Sequence, residues 1–534
     1  LQAFARLYAE LDATTSTRTK VESLERYFRT AAPRDAAWAL YFLAGNKPRQ
    51  IVPVRLLARL AIEQAGIPEW LFDESYQAVG DLAETIAHVL PDGAATDDAS
   101  LAEWVEERLL PLRGADEAEV RAKLPGWWAS LDANGRLVMN KLITGAFRVG
   151  VSKLLVQRGV ANAAGLAPRV IAERMAGEWQ PTPERYLALV SADNVAAHLG
   201  QPYPFFLAHP LQEPPATLGE VSDWLAEWKW DGIRGQLIRR AAQTFVWSRG
   251  EELVTERFPE IAAAGAKLPD GTVLDGEILA WSGDAVLPFA RLQKRIGRKQ
   301  LTAKVLAEAP VVFLAYDLLE AEATDIRDRP LELRREALAA FVRYADHPAL
   351  RLSPAVSAGG WETLALLREQ SRGRGVEGLM LKRRESPYGV GRTRGDWWKW
   401  KIDPYSVDAV LVYAQRGHGR RASLYTDYTF AVWDGDALVP FAKAYSGLTD
   451  EEIREVDAFI RRNTLEKFGP VRSVKPELVF EIGFEGIQRS PRHKSGIAVR
   501  FPRMLRMRTD KRAAQADRLD TLRGLAAAAE GAAA

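Results

Sequence analysis

A lysine attacks phosphorus or carbon only as the neutral amine, a form favoured by partial desolvation and a neighbouring cation. Lys229 has such a setting in Glu227-Trp-Lys-Trp-Asp-Gly-Ile-Arg234. On an extended chain the two-residue period puts Glu227, Lys229 and Asp231 on one face and Trp228 and Trp230 on the other. Further clusters extend the theme. Ser248-Arg-Gly-Glu-Glu252 follows a strand-like run at a glycine turn, while Asp275-Gly-Glu277 and Lys399-Trp-Lys401 each set two like charges at i and i+2. Like charges on one strand face repel unless a counter-charge lies between them, so a metal ion suits the carboxylates and a phosphate suits the lysines. Glu377 opens the apolar run Gly-Leu-Met-Leu381, where a carboxylate can hold Mg²⁺ directly or through water. From Arg489 to Arg512, nine basic residues stand against one acid, Asp510, which points to an anionic partner. Taken singly, each cluster also reads as an ordinary ion pair or a solvated charged surface.

These groups sit on a chain whose texture changes twice. Up to about residue 200 the pattern is helical: Leu57, Leu60 and Ala61 repeat at i, i+3, i+4, and Val138, Leu142 and Val149 continue a similar stripe. Within it, Thr144-Gly-Ala-Phe-Arg-Val-Gly-Val-Ser-Lys153 brings Arg148 and Lys153 beside two glycines, either as a phosphate contact or as a corner between helices. The proline-rich stretch 201–215 is unsuited to a helix interior and marks a first boundary. Strand-like runs follow at 235–247, 272–281, 311–319 and 377–382, with a helix over 331–344. Beyond Asp403-Pro404, aromatic-rich runs at 407–413 and 425–433 and a helix near 450–462 suggest a small β-barrel. The alanine-rich end, 524–534, reads as frayed. The expected organisation is three domains: helical over 1–203, mixed α+β over 204–403, and a barrel over 404–534.

Composition sets outer limits. At 534 residues and 59.3 kDa the chain exceeds what one hydrophobic core serves. No apolar run approaches the roughly 18 to 20 residues that span a bilayer, so no membrane role is expected. Without cysteine there is no disulfide framework and no cysteine-ligated zinc. The first residues show no secretory apolar segment, and a cytoplasmic address is the expectation. The net charge of +2 does not itself indicate nucleic acid; the clustering of the charge does.

Together and in this order, the clusters resemble the motifs of ATP-dependent DNA ligases, members of the covalent nucleotidyltransferases. The matching stretches are Lys229-Trp-Asp-Gly-Ile-Arg234, Ser248-Arg-Gly-Glu251, Asp275-Gly-Glu277, Phe313-Leu-Ala-Tyr-Asp317, Glu377-Gly-Leu-Met-Leu-Lys382, Trp397-Trp-Lys-Trp-Lys401 and Arg500-Phe-Pro-Arg-Met-Leu-Arg-Met-Arg-Thr-Asp-Lys511. The resemblance spans nearly the whole chain. It implies an all-helical DNA-binding domain, an ATP-grasp-like nucleotidyltransferase domain and an OB-fold barrel, with the protein encircling nicked duplex DNA as a monomer. It also implies a bacterial, nucleoid-associated enzyme with an accessory role in DNA repair.

The same resemblance implies roles for residues. Lys229 attacks the α-phosphorus of ATP to form a lysyl-adenylate, AMP passes to the 5′-phosphate of a nick, and the 3′-hydroxyl displaces it. Glu227 borders the adenine, and Tyr316 stacks on it where the family usually has phenylalanine. Arg234 and Glu277 contact the sugar, Arg249 meets a phosphate or the nick, and Lys399 and Lys401 hold the α-phosphate. Glu277 and Glu377 are implied ligands of Mg²⁺, with Mn²⁺ as an alternative. The family's arginine before Trp397 falls here on Thr393, leaving Arg392 and Arg394 as candidates. Arg503 and Arg506 orient the departing pyrophosphate, while Arg148, Lys153, Arg249, Arg508 and Lys511 contact DNA. An RNA ligase or capping guanylyltransferase would share the lysine chemistry but not the long helical region. An NAD-dependent ligase would need its cysteine zinc module, and a catalytically dead DNA clamp would not need Lys229, Glu277, Glu377 and Lys399 together.

Overall fold

The first part of the chain is helical in the computed structural model, which describes every residue except 48–49, 146, 148, 178, 193–198, 284, 299–300, 418–420, 422 and 532–534. Leu57, Leu60 and Ala61 lie buried in the helix Val54–Ala65, as their spacing demands. The helix Ala133–Thr144 starts where the Asp132 carboxylate accepts from the Gly135 amide at 2.8 Å and stops at Gly145, in the left-handed region at φ 68°. Val138 and Leu142 face the core from this helix; Val149 lies beyond its end and is buried in the connection, as is Phe147. The Gly150 carbonyl accepts from Lys20 Nζ at 2.7 Å, and Lys153 opens the next helix, Lys153–Ala164. The described residues of 144–153 thus form a packed corner between helices. Arg148, which carried the expected phosphate contact, lies outside the described residues.

Two compact units result. One contains Leu1–Gly159, Pro181–Tyr186 and Pro404–Gly531; the other contains Val160–Gln180 and Leu187–Asp403. The second is built on two sheets. Its strands are β1 (Trp224–Trp230), β2 (Ile233–Arg240), β3 (Gln243–Ser248), β4 (Thr272–Ser282), β5 (Val311–Ala321), β6 (Leu350–Leu352), β7 (Val376–Arg383) and β8 (Trp397–Lys401). One sheet runs in the order β6-β5-β4-β2-β3, and the other has β8, β7 and β1 side by side with His209–Pro210 at its edge. Helices Pro259–Gly265, Phe289–Ile296 and Leu331–Ala345 contribute Ile261, Leu292 and Leu338 to the core beneath the first sheet. On its opposite face Ile238, Val273 and Leu319 meet Phe206, Tyr388 and Trp397, which joins the two sheets.

Two expectations need correction. The run 235–247 is a hairpin rather than one strand, with Ala241 and Ala242 both in the left-handed region at φ 46° and 59°. Such turns favour Asn-Gly or Gly-Gly; here the Asp270 carboxylate secures the turn instead, accepting from both alanine amides at 3.1 and 2.9 Å. The alanine-rich end is also not frayed through its described length. It forms the helix Leu519–Gly531, and Leu519, Leu522 and Ala526 pack into the barrel core as an i, i+3, i+7 stripe.

That barrel region contains β9 (Tyr405–Arg416), β10 (Tyr425–Asp434), β11 (Ala437–Ala444), β12 (Thr464–Phe468), β13 (Val471–Val474), β14 (Val479–Phe484) and β15 (Arg503–Met507). Its order is β11-β10-β9-β13-β12, and β14 pairs with both β9 and β15, so the sheet curls on itself. The helix Asp450–Asn463 begins with a capping box formed by Thr449 and Glu452 and buries Val456 and Ile460 against the sheet.

Candidate active site

Lys229 and Glu377 meet because of a β-bulge. Trp230 pairs with Val376 and Trp228 with Leu379, so β7 carries an irregularity opposite Lys229. Gly378 sits there at φ 135°, and a Cβ would fall 2.3 Å from the Trp400 carbonyl oxygen, so only glycine fits. The bulge lets Glu377 Oε2 form an ion pair with Lys229 Nζ, and Lys401 Nζ approaches the same oxygen at 3.4 Å. The Lys229 and Glu377 side chains remain 21% and 18% exposed, so a substrate can reach them. Burial, reinforced by Arg392, Lys401 and Lys229, holds the Lys399 ammonium below its ordinary pKa. Several cations around one shared carboxylate make an anion-binding pocket.

The next wall separates two carboxylates that share a strand face. Arg234 on β2 lies directly across from Glu277 on β4. Its guanidinium nevertheless goes to the diagonal neighbour, binding Asp275 through both carboxylate oxygens at 3.2 and 2.7 Å. Arg234 also donates to the Phe206 carbonyl at 2.7 Å, and the Tyr388 hydroxyl donates to Asp275 at 2.6 Å. Asp275 is therefore committed to the wall. Glu277 is not: burial, with Asp275 adding to it, pushes its pKa up to about 7 against the pull of Lys229, Arg234 and Arg249. The Arg249 amide donates to the Arg234 carbonyl at 2.8 Å while its side chain is exposed.

Glu227 closes the other end. It is 2% exposed and ion-paired on both oxygens, with Arg335 at 2.8 Å and Lys382 at 2.7 Å. Burial works to raise its pKa, but Lys382 and Arg335 outweigh that and hold it below the ordinary value. Lys382 Nζ lies between aromatic faces, 4.1 Å from the Tyr316 ring centre and 4.4 Å from that of Trp397. Arg335 donates to the Tyr316 carbonyl at 3.2 Å, so one side chain braces both Glu227 and Tyr316. Sequence reasoning assigned no role to Lys382, Tyr388 or Arg335. Lys382 closes the stretch Glu377-Gly-Leu-Met-Leu-Lys382 that the resemblance picked out, but without a role of its own, and Arg335 lies in a helix between motifs.

Of the two arginines before Trp397, Arg392 lies beside the Phe206–Leu207 strand and its charge acts on Lys399. Arg394 lies over the Trp398 ring at 5.7 Å. In the barrel, Arg503 bonds Glu485 at 2.7 Å and Arg506 bonds Glu481 at 2.7 Å. Arg508 is bidentate to Asp408 at 2.9 Å and reaches Asp510 at 2.8 Å, and Lys511 shares Asp408. Among the described residues, no group of three or more His, Asp or Glu side chains could hold a metal ion. Glu277 and Glu377 supply two oxygen donors, which fits a hard cation that takes its remaining ligands from phosphates and water.

Comparison with known proteins matches this chemistry. Residues 1–161 match the family model "DNA ligase N terminus", 205–401 the "ATP dependent DNA ligase domain", and 421–511 the "ATP dependent DNA ligase C terminal region". A probable DNA ligase of Koribacter versatilis is 32% identical over 97% of this chain and 95% of its own length. One of Streptomyces avermitilis is 30% identical over 98% of each chain. The solved structure Pmar-Lig_PreS3 shares the fold at a TM-score of 0.60, with 16% identity, covering 95% of this chain and 99% of its own. No helix among the described residues is long and apolar enough to cross a membrane. By its motifs, its fold and its relatives, the chain belongs to the ATP-dependent DNA ligases, enzymes that use ATP to seal nicks in DNA.

Proposed function

We propose that Lys229 is the nucleophile of this ligase. Its Nζ forms a bond to the α-phosphorus of ATP, the bond to pyrophosphate breaks, and Glu377, already in contact with Nζ, accepts the ammonium proton. The AMP then moves to the 5′-phosphate of a nick, with Lys229 as leaving group, and the 3′-hydroxyl displaces AMP to close the strand. Phosphoryl transfer of this kind depends on position and charge stabilisation. Lys399, Lys401 and one of Arg392 and Arg394 hold the α-phosphate. Glu227 and Tyr316 flank the adenine, Arg234 and Glu277 the sugar, and Arg249 a phosphate or the nick. Glu277 and Glu377 would hold Mg²⁺, with Mn²⁺ as an alternative, and the ion would neutralise charge on the phosphate oxygens. Arg503 and Arg506 orient pyrophosphate; Lys153, Arg148, Arg508 and Lys511 contact duplex DNA. The active form is a monomer around the duplex, acting in repair in the bacterial nucleoid.

The observation that carries the reading is the bulge at Gly378, which brings Glu377 onto Lys229 amid Lys399 and Lys401. Incubation with radiolabelled ATP and a divalent cation, without DNA, tests it. The expected outcome is an acid-labile covalent label, absent from Lys229→Ala and discharged by nicked duplex. Full labelling of Lys229→Ala would remove the lysine from the mechanism, and labelling from GTP rather than ATP would move the chain to the capping class.

A further inference from the structure

One guanidinium ties together three segments at the Glu227 end of the pocket. Arg335 stands in the helix Leu331–Ala345, with its side chain 13% exposed. It pairs with Glu227 on β1 at 2.8 Å, donates to the Tyr316 carbonyl on β5 at 3.2 Å, and donates to the carbonyl of Ser353, just past β6. A guanidinium carries five donors in a rigid fork, so one side chain can fix three chain segments at once; an ammonium has no such fork. The reach of Arg335 is itself set. Its neighbour Arg334 is fully buried on Asp317, which pins the helix to β5 one residue beyond Tyr316. The segment after β6 then closes on β1: the Ser353 amide donates to the Ala315 carbonyl at 2.8 Å, and the Val356 amide donates to the Ala226 carbonyl at 2.8 Å.

This bracing decides what Glu227 can bind. An ionised carboxylate only accepts hydrogen bonds, whereas a protonated one also donates. At 2% exposure burial favours the protonated form, and Lys382 and Arg335 oppose it. A base lying against Glu227 is therefore selected for a donor, such as the 6-amino group of adenine. Without Arg335, Glu227 keeps Lys382 on one oxygen and loses the bond that places the other.

We propose that Arg335 is a positioning residue for nucleotide choice, holding Glu227 as the acceptor for an amino group on the bound base. The proposal rests on the reading that Glu227 and Tyr316 flank the adenine. The full-length protein is labelled with ATP or with purine riboside triphosphate, which lacks the 6-amino group, each radiolabelled at the α-phosphate. A site built to hydrogen-bond an N–H rejects the analogue without it, so the wild type should prefer ATP, and R335Q should lose at least about tenfold of that preference. The preference is a ratio within one preparation, so a smaller folded fraction cancels from it. R335M keeps the apolar stem and leaves Lys382 on Glu227, and should show the same loss if R335Q does not fold. R335K, which keeps the cation beside Glu227, should retain most of the preference. A role in folding alone would slow labelling by both nucleotides equally, and an unchanged preference in R335Q or R335M overturns the proposal. E227A separates the two readings. If E227A loses the preference and the Arg335 variants keep it, only the role of Arg335 falls; if E227A keeps it, Glu227 does not meet the base and both fall.

Discussion

The pocket and the Arg503 and Arg506 pairs of the barrel both join cations to acids, but at different depths. In the pocket Asp275 and Asp317 are fully buried, Glu227 nearly so, and each is held by more than one bond. Asp317, for example, takes Arg334 through both oxygens at 2.8 and 3.0 Å. In the barrel the Arg506 side chain is 64% exposed on Glu481, and that of Arg503 is 34% exposed on Glu485. Breaking a buried pair strands a charge in a poor solvent, whereas an exposed pair exchanges partners with water or a ligand at little cost. The pocket therefore fixes its geometry before substrate arrives. The barrel holds Arg503 and Arg506 on acids that a phosphate can replace, which suits the role proposed for them.

The largest expected effect tests the buried side. Asp275→Ala leaves the Arg234 guanidinium and the Tyr388 hydroxyl without their carboxylate, and breaking a buried pair costs about 3–5 kcal/mol. Thermal or urea denaturation should show the catalytic unit melting well before that of the wild type. A loss below about 1 kcal/mol would erase the contrast between the two regions.

Glu277 comes next, because it shares the pocket wall but has no ion pair among the described residues. Its pKa is about 7 in the folded protein against an ordinary 4.5. Below 4.5 both folded and unfolded chains carry the proton, and the stabilising contribution is complete. As pH rises towards 7 only the unfolded chain has ionised, so stability falls, by about 3 kcal/mol in total. Glu277→Gln should flatten stability between these pH values and melt higher than wild type at pH 8. Equal pH slopes in the two proteins would show that Glu277 ionises as an exposed carboxylate does.

Much of this contrast was legible in the sequence, and the remainder depends on contacts between distant segments. Strand periodicity put Glu227 and Lys229 on one face, and it grouped Lys399 with Lys401. It could not show that Glu377 would be their common partner, because that follows from the bulge at Gly378. Asp275 and Glu277 looked equivalent at i and i+2, yet the diagonal reach of Arg234 claimed only one of them. Ala241 and Ala242 gave no turn signal, since the stabilising carboxylate belongs to Asp270. Arg335 has no local signature; it matters only because the helix Leu331–Ala345 packs where it reaches Glu227 and the Tyr316 carbonyl. The basic run ending at Arg512 was plain, but the acids that occupy it come from β9 and β14, up to about a hundred residues away.

The smallest effect is expected at those acids, and it tests the exposed side most directly. Glu481→Gln removes the partner of Arg506 without burying anything, so stability should change by less than about 1 kcal/mol. If Arg506 must leave Glu481 to meet pyrophosphate, the substitution removes a competitor. Labelling by ATP should then be as fast as in the wild type or up to a few-fold faster. Arg506→Gln should be just as stable and yet slower to label, because it loses the cation itself. The pair of variants separates stability from chemistry at one contact. A destabilisation of Glu481→Gln as large as that of Asp275→Ala would mean that the barrel's pairs hold the fold as the pocket's do, and that Arg506 is not free to change partners.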